Sequence, residues 1–593
     1  MEQLRILGLL ASLKRLTRWA LSCAGVLCLF AGGGFTQNLP VLIQVPADLR
    51  SPPFDTDRYL NVPPQFSVSL WARVPGARFM AVAPDGDILV SQPWAGNILL
   101  LQDQGDGEAA VSVFASGLEL PHDMVFHGIG QTMYLYVAEA NQIDRFVYNW
   151  RDRVAHNREI LITGLPSASS PELGGAYAHQ LKNMAVDSMG RLYVSIGSAT
   201  NADPSDRFAT PMRGAIYQYQ PDGSGGRLFA AGLRNAEGVR FLPGTDSLWA
   251  AVNNRDNLAY PFDDGSGLFG QVLPGYIDNH PPDEFTSVRD GGDYGWPYAN
   301  PNPDTANGLD DMVFDPDFQN NRDGSLFSVS NFDRISKGIQ AHSAPLGLTF
   351  LQDTLFGEAY RQGAIIALHG SWNRSRFTGY KLIYFPWNSS SQLPGTQLDL
   401  VTGWLDENAQ QYWGRPVATV VDHSGKLIVS DDMSGAIYKI SPASPISFDA
   451  RTVSLVASNS GKCLQVLNGA ADNGVPILQQ ACDGSSAQLW NITARSGTTY
   501  SLTAVNTGKS LDVTGGPDAT ADGISFQQWE YWGGDNQKFR ILPNADGTFS
   551  VVADNSGKCL DVRGGPAAVA DGVPLQQWTC WGGDNQKFRL VSP

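Results

Sequence analysis

Between about residues 62 and 442 the apolar positions come in runs of roughly four to eight residues, many alternating with polar ones, and turns carrying Asp-Gly, Pro-Gly or Ser-Gly break them. No stretch keeps a helical period. A unit recurs: a polar loop, a short apolar strand, a turn, and a second apolar strand. The six copies are MAVAPDGDILVSQ from Met80, MVFHGIGQTMYLYVAE from Met124, MAVDSMGRLYVSIGS from Met184, VRFLPGTDSLWAAVN from Val239, LTFLQDTLFGEAYRQGAIIALHGS from Leu348 and TVVDHSGKLIVSDD from Thr419. Most are followed by a further strand such as NILLLQ, AIYQYQ or AIYKI. Six units of about four strands set radially predict an all-β fold, a six-bladed β-propeller over 62–442. A β-sandwich array is the alternative, with units that are usually longer.

Composition agrees with turn-rich β structure. The chain has 63 Gly and 36 Pro, and its charged fraction of 17% is low. With 42% hydrophobic residues and 15 Trp it can bury a large core, which excludes disorder over most of its length. A net charge of −17 repels phosphate backbones and anionic lipid, so no nucleic-acid partner is expected.

The N-terminus joins Arg5, Lys14, Arg15 and Arg18 to the apolar run Trp19 to Ala31 and then Gly32 to Gly34. That order predicts a secretory signal peptide over 1–34, an extension over 35–61, and a secreted or periplasmic product. The run is shorter than the roughly 20 residues that span a bilayer, so no membrane insertion of the mature chain is expected. Cys23 and Cys28 leave a lipoprotein anchor open, although neither follows a good lipobox. The other cysteines, Cys463, Cys482, Cys559 and Cys580, suit two disulfides in an oxidising compartment.

In a propeller, the loops entering the innermost strands converge on one face of the central channel. Here those loops carry Arg78, His122, His179, Arg234, His342 and Arg415. Basic and imidazole groups at equivalent places of six repeats, in so acidic a chain, describe an anion pocket with a titratable base. The segment His369-Gly370-Ser371-Trp372-Asn373-Arg374 adds His369, Arg374 and an indole, Trp372, that could stack on a flat ligand.

The runs AHQLKNMAVDSMGRLYVSIGSATN (178–201), GLRNAEGVRF (232–241), DGGDYGWPYANP (290–301), AHSAPLGLTF (341–350), LHGSWNRS (368–375) and GRPVATVVDHSGKLIVSDD (414–432) resemble the soluble pyrroloquinoline-quinone (PQQ)-dependent sugar dehydrogenases, closest to their sorbosone and pyranose branch. The resemblance implies PQQ, a planar quinone with three carboxylates, held by arginines above Ca²⁺. His179 matches the general base that takes the sugar hydroxyl proton. Arg234 and Asn235 match the pair beside the reacting carbonyl. Arg78, Arg374 and Arg415 are expected on cofactor carboxylates, with His342, His369 and Trp372 nearby. The metal loop matches Asn279 to Glu284, which makes Pro281, Pro282 and Asp283 the expected calcium segment. Bacterial soluble glucose dehydrogenases carry a lysine in the blade-five segment and two close arginines in the last loop. Here His369, Arg374 and a lone Arg415 favour the pyranose branch.

After a Pro/Ser linker at 443–449 the chain changes to three similar units, over 450–593. SGKSLDVTGGPDATADGISFQQWEYWGGDNQKF (507–539) and SGKCLDVRGGPAAVADGVPLQQWTCWGGDNQKF (556–588) are the clearest, and 460–490 is more diverged. They resemble the ricin-B β-trefoil lectins. That family's sugar site implies Asp512, Trp529 and Asn536 in the second unit and Asp561, Trp578 and Asn585 in the third. The first unit has Gln465, Gln480 and Ala487 there and is expected to be structural. The same alignment pairs Cys463 with Cys482 and Cys559 with Cys580.

These residues imply a secreted sugar oxidoreductase that passes hydride to PQQ, with a lectin module that binds polysaccharide. No C-x-x-C-H haem motif is present, so an external electron acceptor is expected. The alternative is a propeller hydrolase of the lactonase or esterase kind, or a non-catalytic binding propeller.

Overall fold

The computed structural model describes residues 38–591 apart from 64–65, 106, 150, 352–359, 361, 389, 443–447, 449, 496–498 and 545–547. The signal segment at 1–34 and most of the linker lie outside the described residues. The described helices are single turns such as Ser205–Phe208 and Pro274–Ile277; the rest is strand, turn and loop.

The six predicted units are six blades. Their innermost strands are Met80–Val82, Met124–Ile129, Asn183–Val186, Asn235–Phe241, Pro345–Leu351 and Pro416–Val421. Each neighbours the next and the sixth returns to the first, which closes the ring. The second strand of each blade lies between the neighbouring blades, so it is buried along most of its length rather than alternating in exposure. Leu192–Ile196 and Gly363–Leu368 are buried at every position.

Closure of the ring was not visible in the repeat count. Blade six takes only three strands from its own unit; Phe66–Arg73, before blade one in sequence, pairs with Ala436–Pro442 as its outermost strand. The chain ends of the propeller are therefore fastened by a backbone ladder. Inside the channel Asp123 ties three inner strands together. Its carboxylate accepts from both Arg240 Nη atoms at 2.8 Å and from the Met124 and Met184 amides.

The C-terminal module is a β-trefoil whose core repeats by threes. Leu464, Leu511 and Leu560, then Val466, Val513 and Val562, then Trp490, Phe539 and Phe588 all meet in one cluster. Gln488, Gln537 and Gln586, each fully buried, accept from the amides of Asp483, Trp532 and Trp581 and so hold equivalent turns. The expected disulfides Cys463–Cys482 and Cys559–Cys580 are present. Phe448, read as linker, instead packs into this core against Tyr500 and Phe549.

The trefoil rests on the propeller at the end of the inner strands away from the blade-entry loops. The inner strand of blade two runs from His122 at that entry to the turn at Gly130, a path of about 25 Å at strand rise. Near its far end, a Cβ on Gly128 would lie 2.9 Å from the Trp581 carbonyl oxygen. His423, in the far turn of blade six, feels the charge of Arg540 from the trefoil.

Candidate functional site

All six blade-entry residues line one face, and most join one continuous network. Arg78 donates to Asp432 at 2.9 Å and reaches His122 Nε2 at 3.4 Å. The other Asp432 oxygen meets His369 Nε2 at 2.9 Å, and Arg415 donates to the carbonyls of His369 and Gly370. On the other side of His122, Glu237 lies 3.9 Å away and accepts from Asn235 at 3.1 Å. Gly197 sits between Asn235 and His179: a Cβ there would lie 2.6 Å from Asn235 Oδ1 and 2.7 Å from His179 Cβ. Arg234 follows, bonded to Asn201, Asn254 and Asp256. Asp256 completes the arc through His342 at 3.5 Å and Asn373.

His179 is held through Nδ1, 2.8 Å from the Ser198 carbonyl and 3.0 Å from its hydroxyl. A carbonyl only accepts, so Nδ1 carries the hydrogen and Nε2 is the lone-pair nitrogen. Burial, with the nearby Arg234 charge, pushes the imidazole pKa down to about 3. It is neutral at ordinary pH. Burial also lowers His369 to about 4. Burial works to raise Asp432, yet the His369 and Arg78 contacts hold it well below the usual carboxylate range. Burial raises Glu237.

Carboxylates make this site less cationic than its loops suggested. Asp432, Asp256 and Glu237 were not singled out in the sequence, because acids in an acidic chain carry no signal alone. Only proximity to Arg78, Arg234 and His122 marks them. Two expected ligands sit apart from the network's centre. Arg374 donates to the carbonyls of Asp278 and Ala341, since a half-buried guanidinium takes the nearest loop acceptors. Trp372 stands on the surface, 68% exposed.

Pro281, Pro282 and Asp283 are buried beside His342, whose Nε2 meets the His280 carbonyl at 3.2 Å. Both Asp283 oxygens accept backbone amides, from Asn254 and Ala344, and burial raises its pKa to about 6. The Pro282 carbonyl accepts from Asn254. Among the described residues no three His, Cys, Asp or Glu converge as a metal-ligand group. The side chains of this segment do not fit a calcium site. The donor set of the ring does fit a polycarboxylate: guanidinium and imidazole groups of several blades, Arg78, Arg415, His179 and His369 among them, share one face.

In the trefoil, Asp512 accepts from Asn536 at 2.8 Å and Asp561 from Asn585 at 2.7 Å. Trp529 is 39% exposed beside the first pair. In the first unit Gln465 instead accepts from Gln488, so that lobe has no carboxylate at this place.

A family model described as TrAA12-like matches residues 61–443. The chain belongs to this family. A model described as ricin-type β-trefoil lectin domain-like matches three overlapping stretches, 447–529, 500–578 and 535–593. Among solved structures, the chain is similar to the holo form of the pyranose dehydrogenase PQQ domain from Coprinopsis cinerea. The TM-score is 0.55 at 20% identity, over 68% of this chain and all of that one. An iodide structure of Trichoderma reesei carbohydrate-active enzymes family AA12 gives 0.52 at 21% identity, over 65% of this chain and 97% of that one. At such identity these show the fold. An uncharacterised Borreliella burgdorferi protein is 25% identical over 264 residues, 44% of this chain and 60% of its own length. Among the described residues no helix is long and apolar enough to cross a membrane.

Proposed function

We propose that this protein is a secreted sugar oxidoreductase that uses PQQ, with its reacting sugar at His179 and a trefoil that binds polysaccharide. The observation that carries the reading is the ring itself. A neutral imidazole with Nδ1 fastened to Ser198 stands near Arg234, with Gly197 between it and Asn235, on the face that carries Arg78, Arg415 and His369. The family match and the likeness to a pyranose dehydrogenase PQQ domain support it.

In this reading His179 Nε2 takes the proton of the sugar hydroxyl while the hydrogen on the same carbon leaves as hydride. When bound, PQQ supplies the two-electron acceptor for that hydride. Arg234, held by Asn201, Asn254 and Asp256, presents a fixed positive charge where negative charge develops on oxygen. Arg78 and Arg415 would hold the carboxylates of PQQ, and Asp432 sets the direction of Arg78 and His369. The imidazolium formed at His179 is stabilised by Asp256, whose charge opposes the pull of Arg234. Among the described residues no side-chain group gathers for Ca²⁺, and no step is derived through it. An external acceptor then reoxidises the enzyme. In the trefoil, Asp512 with Trp529 and Asn536, and Asp561 with Trp578 and Asn585, bind sugar units.

The test is dye reduction by the apoprotein with PQQ, with and without Ca²⁺, across aldoses and ketose-derived sugars. Sugar-dependent reduction that requires PQQ is expected. Activity with NAD, or lactone hydrolysis without the quinone, overturns the reading.

A further inference from the structure

Lobes two and three contain the same octapeptide, Trp-Gly-Gly-Asp-Asn-Gln-Lys-Phe, at 532–539 and 581–588. Their local structure is the same too. Each Trp ring lies over the second glycine, since a Cβ on Gly534 or Gly583 would fall within 2.4 Å of it. Each Asn donates to the matching Asp. Two identical sequences with one local structure should show equal exposure in a free-standing trefoil.

They do not. Trp532 is 57% exposed, whereas Trp581 is half-buried. Part of the cover on lobe three comes from the propeller: Gly128 approaches the Trp581 backbone and ring, and Met133 Cε would meet a Cβ on Gly582 at 3.4 Å. Next to this seam is a cavity of about 660 Å³ whose walls belong to both domains. Asp561, Trp578, Trp581, Asn585 and Arg563 line it from the trefoil, and Gly130 and Gln131 from blade two. That volume lies in the range of small-molecule pockets. Asn585 is 1% exposed, and its Oδ1 is a buried acceptor with no partner among the described residues. Arg563, which has Thr514 at the matching place in lobe two, adds a guanidinium bonded to Gln576, Gly523 and Ser525.

We propose that lobe three and the Gly130–Gln131 turn of the propeller form one carbohydrate cleft that holds at least two sugar units, one at Asp561, Trp578 and Asn585 and the next against Gln131. This rests on the reading of the Asp, Trp and Asn sets as sugar sites. The Gln131 amide is exposed and carries both donor and acceptor, which suits paired sugar hydroxyls. Among the described residues no propeller turn lines the Asp512, Trp529 and Asn536 set as Gln131 lines the other, so lobe two reads a single unit. The two sites therefore differ in ligand length although their sequences are alike.

The experiment is calorimetric titration of the full-length protein with galactose, glucose and xylose, and with lactose, cellobiose and xylobiose. An Asp512→Ala background leaves lobe three to be read alone. There, Gln131→Ala is expected to weaken the binding of the preferred disaccharide five- to tenfold and to change the matching monosaccharide less than twofold. In an Asp561→Ala background the same substitution should change nothing. Gln131→Ala with no effect on the disaccharide, or an equal effect on both sugars, overturns the composite cleft. The Asp512→Ala, Asp561→Ala double variant separates the two readings: if it binds as the wild type does, the lobes are not sugar sites at all. Six probes that fail to bind the wild type overturn cleft and lobe sites together for these sugars.

Discussion

Gly128 of blade two and Trp581 of the third trefoil lobe meet so closely that a Cβ on the glycine would lie 2.9 Å from the tryptophan carbonyl oxygen. The contact places the lectin-like module on the face of the propeller away from His179. In the proposed function, a polysaccharide held there would not lie beside a sugar at His179, so the trefoil would tether the protein rather than feed that site.

That contact can be tested by crowding it. Gly128→Val should part the seam, because the backbone atom it would strike cannot rotate away as a side chain could. Differential scanning calorimetry is expected to show the trefoil transition moving down in temperature, and limited proteolysis to cut more readily near 443–449. Turnover on small sugars should stay within about twofold, since the seam is some 25 Å of strand from the site.

His179 predicts an unusual pH profile. Its pKa is lowered to about 3, so the neutral form persists well below pH 6.5 and base function is lost only as pH falls toward that value. The acid limb of kcat/KM should lie at least one pH unit below 6.5. His179→Gln should lower turnover by about 10² to 10⁴ at saturating PQQ while the cofactor still binds. An acid limb centred at 6.5, or near-normal turnover of the variant, contradicts the assignment.

Gly197 is a second handle on the same step. The Cβ of Gly197→Ala would press on Asn235 Oδ1 and on His179 Cβ and its carbonyl at once. Misplacing a base by about 1 Å can cost on the order of a hundredfold in rate. Turnover should fall by that order, with PQQ affinity measured by fluorescence quenching changed far less.

His423 links the pH dependence of stability to the domain seam. Burial, helped by Arg540, lowers its pKa to about 4 from an ordinary 6.5. Its native state therefore binds protons less readily than the unfolded chain. The stability this contributes is present above pH 6.5 and is lost as pH falls from there toward 4. Relative to a His423→Gln variant, the wild type should lose up to about 1.4 kcal/mol per pH unit over that window, measured by urea unfolding at several pH values. Parallel curves for the two proteins would show that His423 does not titrate on unfolding.

Much of the molecule was legible in its sequence because it is repetitive. Apolar runs spaced by Gly and Asp turns encode blades locally, so counting repeats yields the propeller, and the three similar C-terminal units resemble ricin-B lectins closely enough to imply the trefoil. Cys463, Cys482, Cys559 and Cys580 pair within their own repeats and followed from alignment alone. The basic residues at blade entries were legible for the same reason, since equivalent loop positions must converge on one axis.

What only the tertiary structure decided is every relation between residues far apart in the chain. Asp432 and Arg78 are separated by 354 positions, and the strand Phe66–Arg73 completes a blade whose other strands end at Pro442. No local propensity encodes such a pairing; it exists because the ring closes. The carboxylates that neutralise the arginines, the commitment of Asp283 to two amides, and the unequal covering of Trp532 and Trp581 all follow from what packs beside each group. Two copies of one octapeptide end in different surroundings because only one of them lies against blade two.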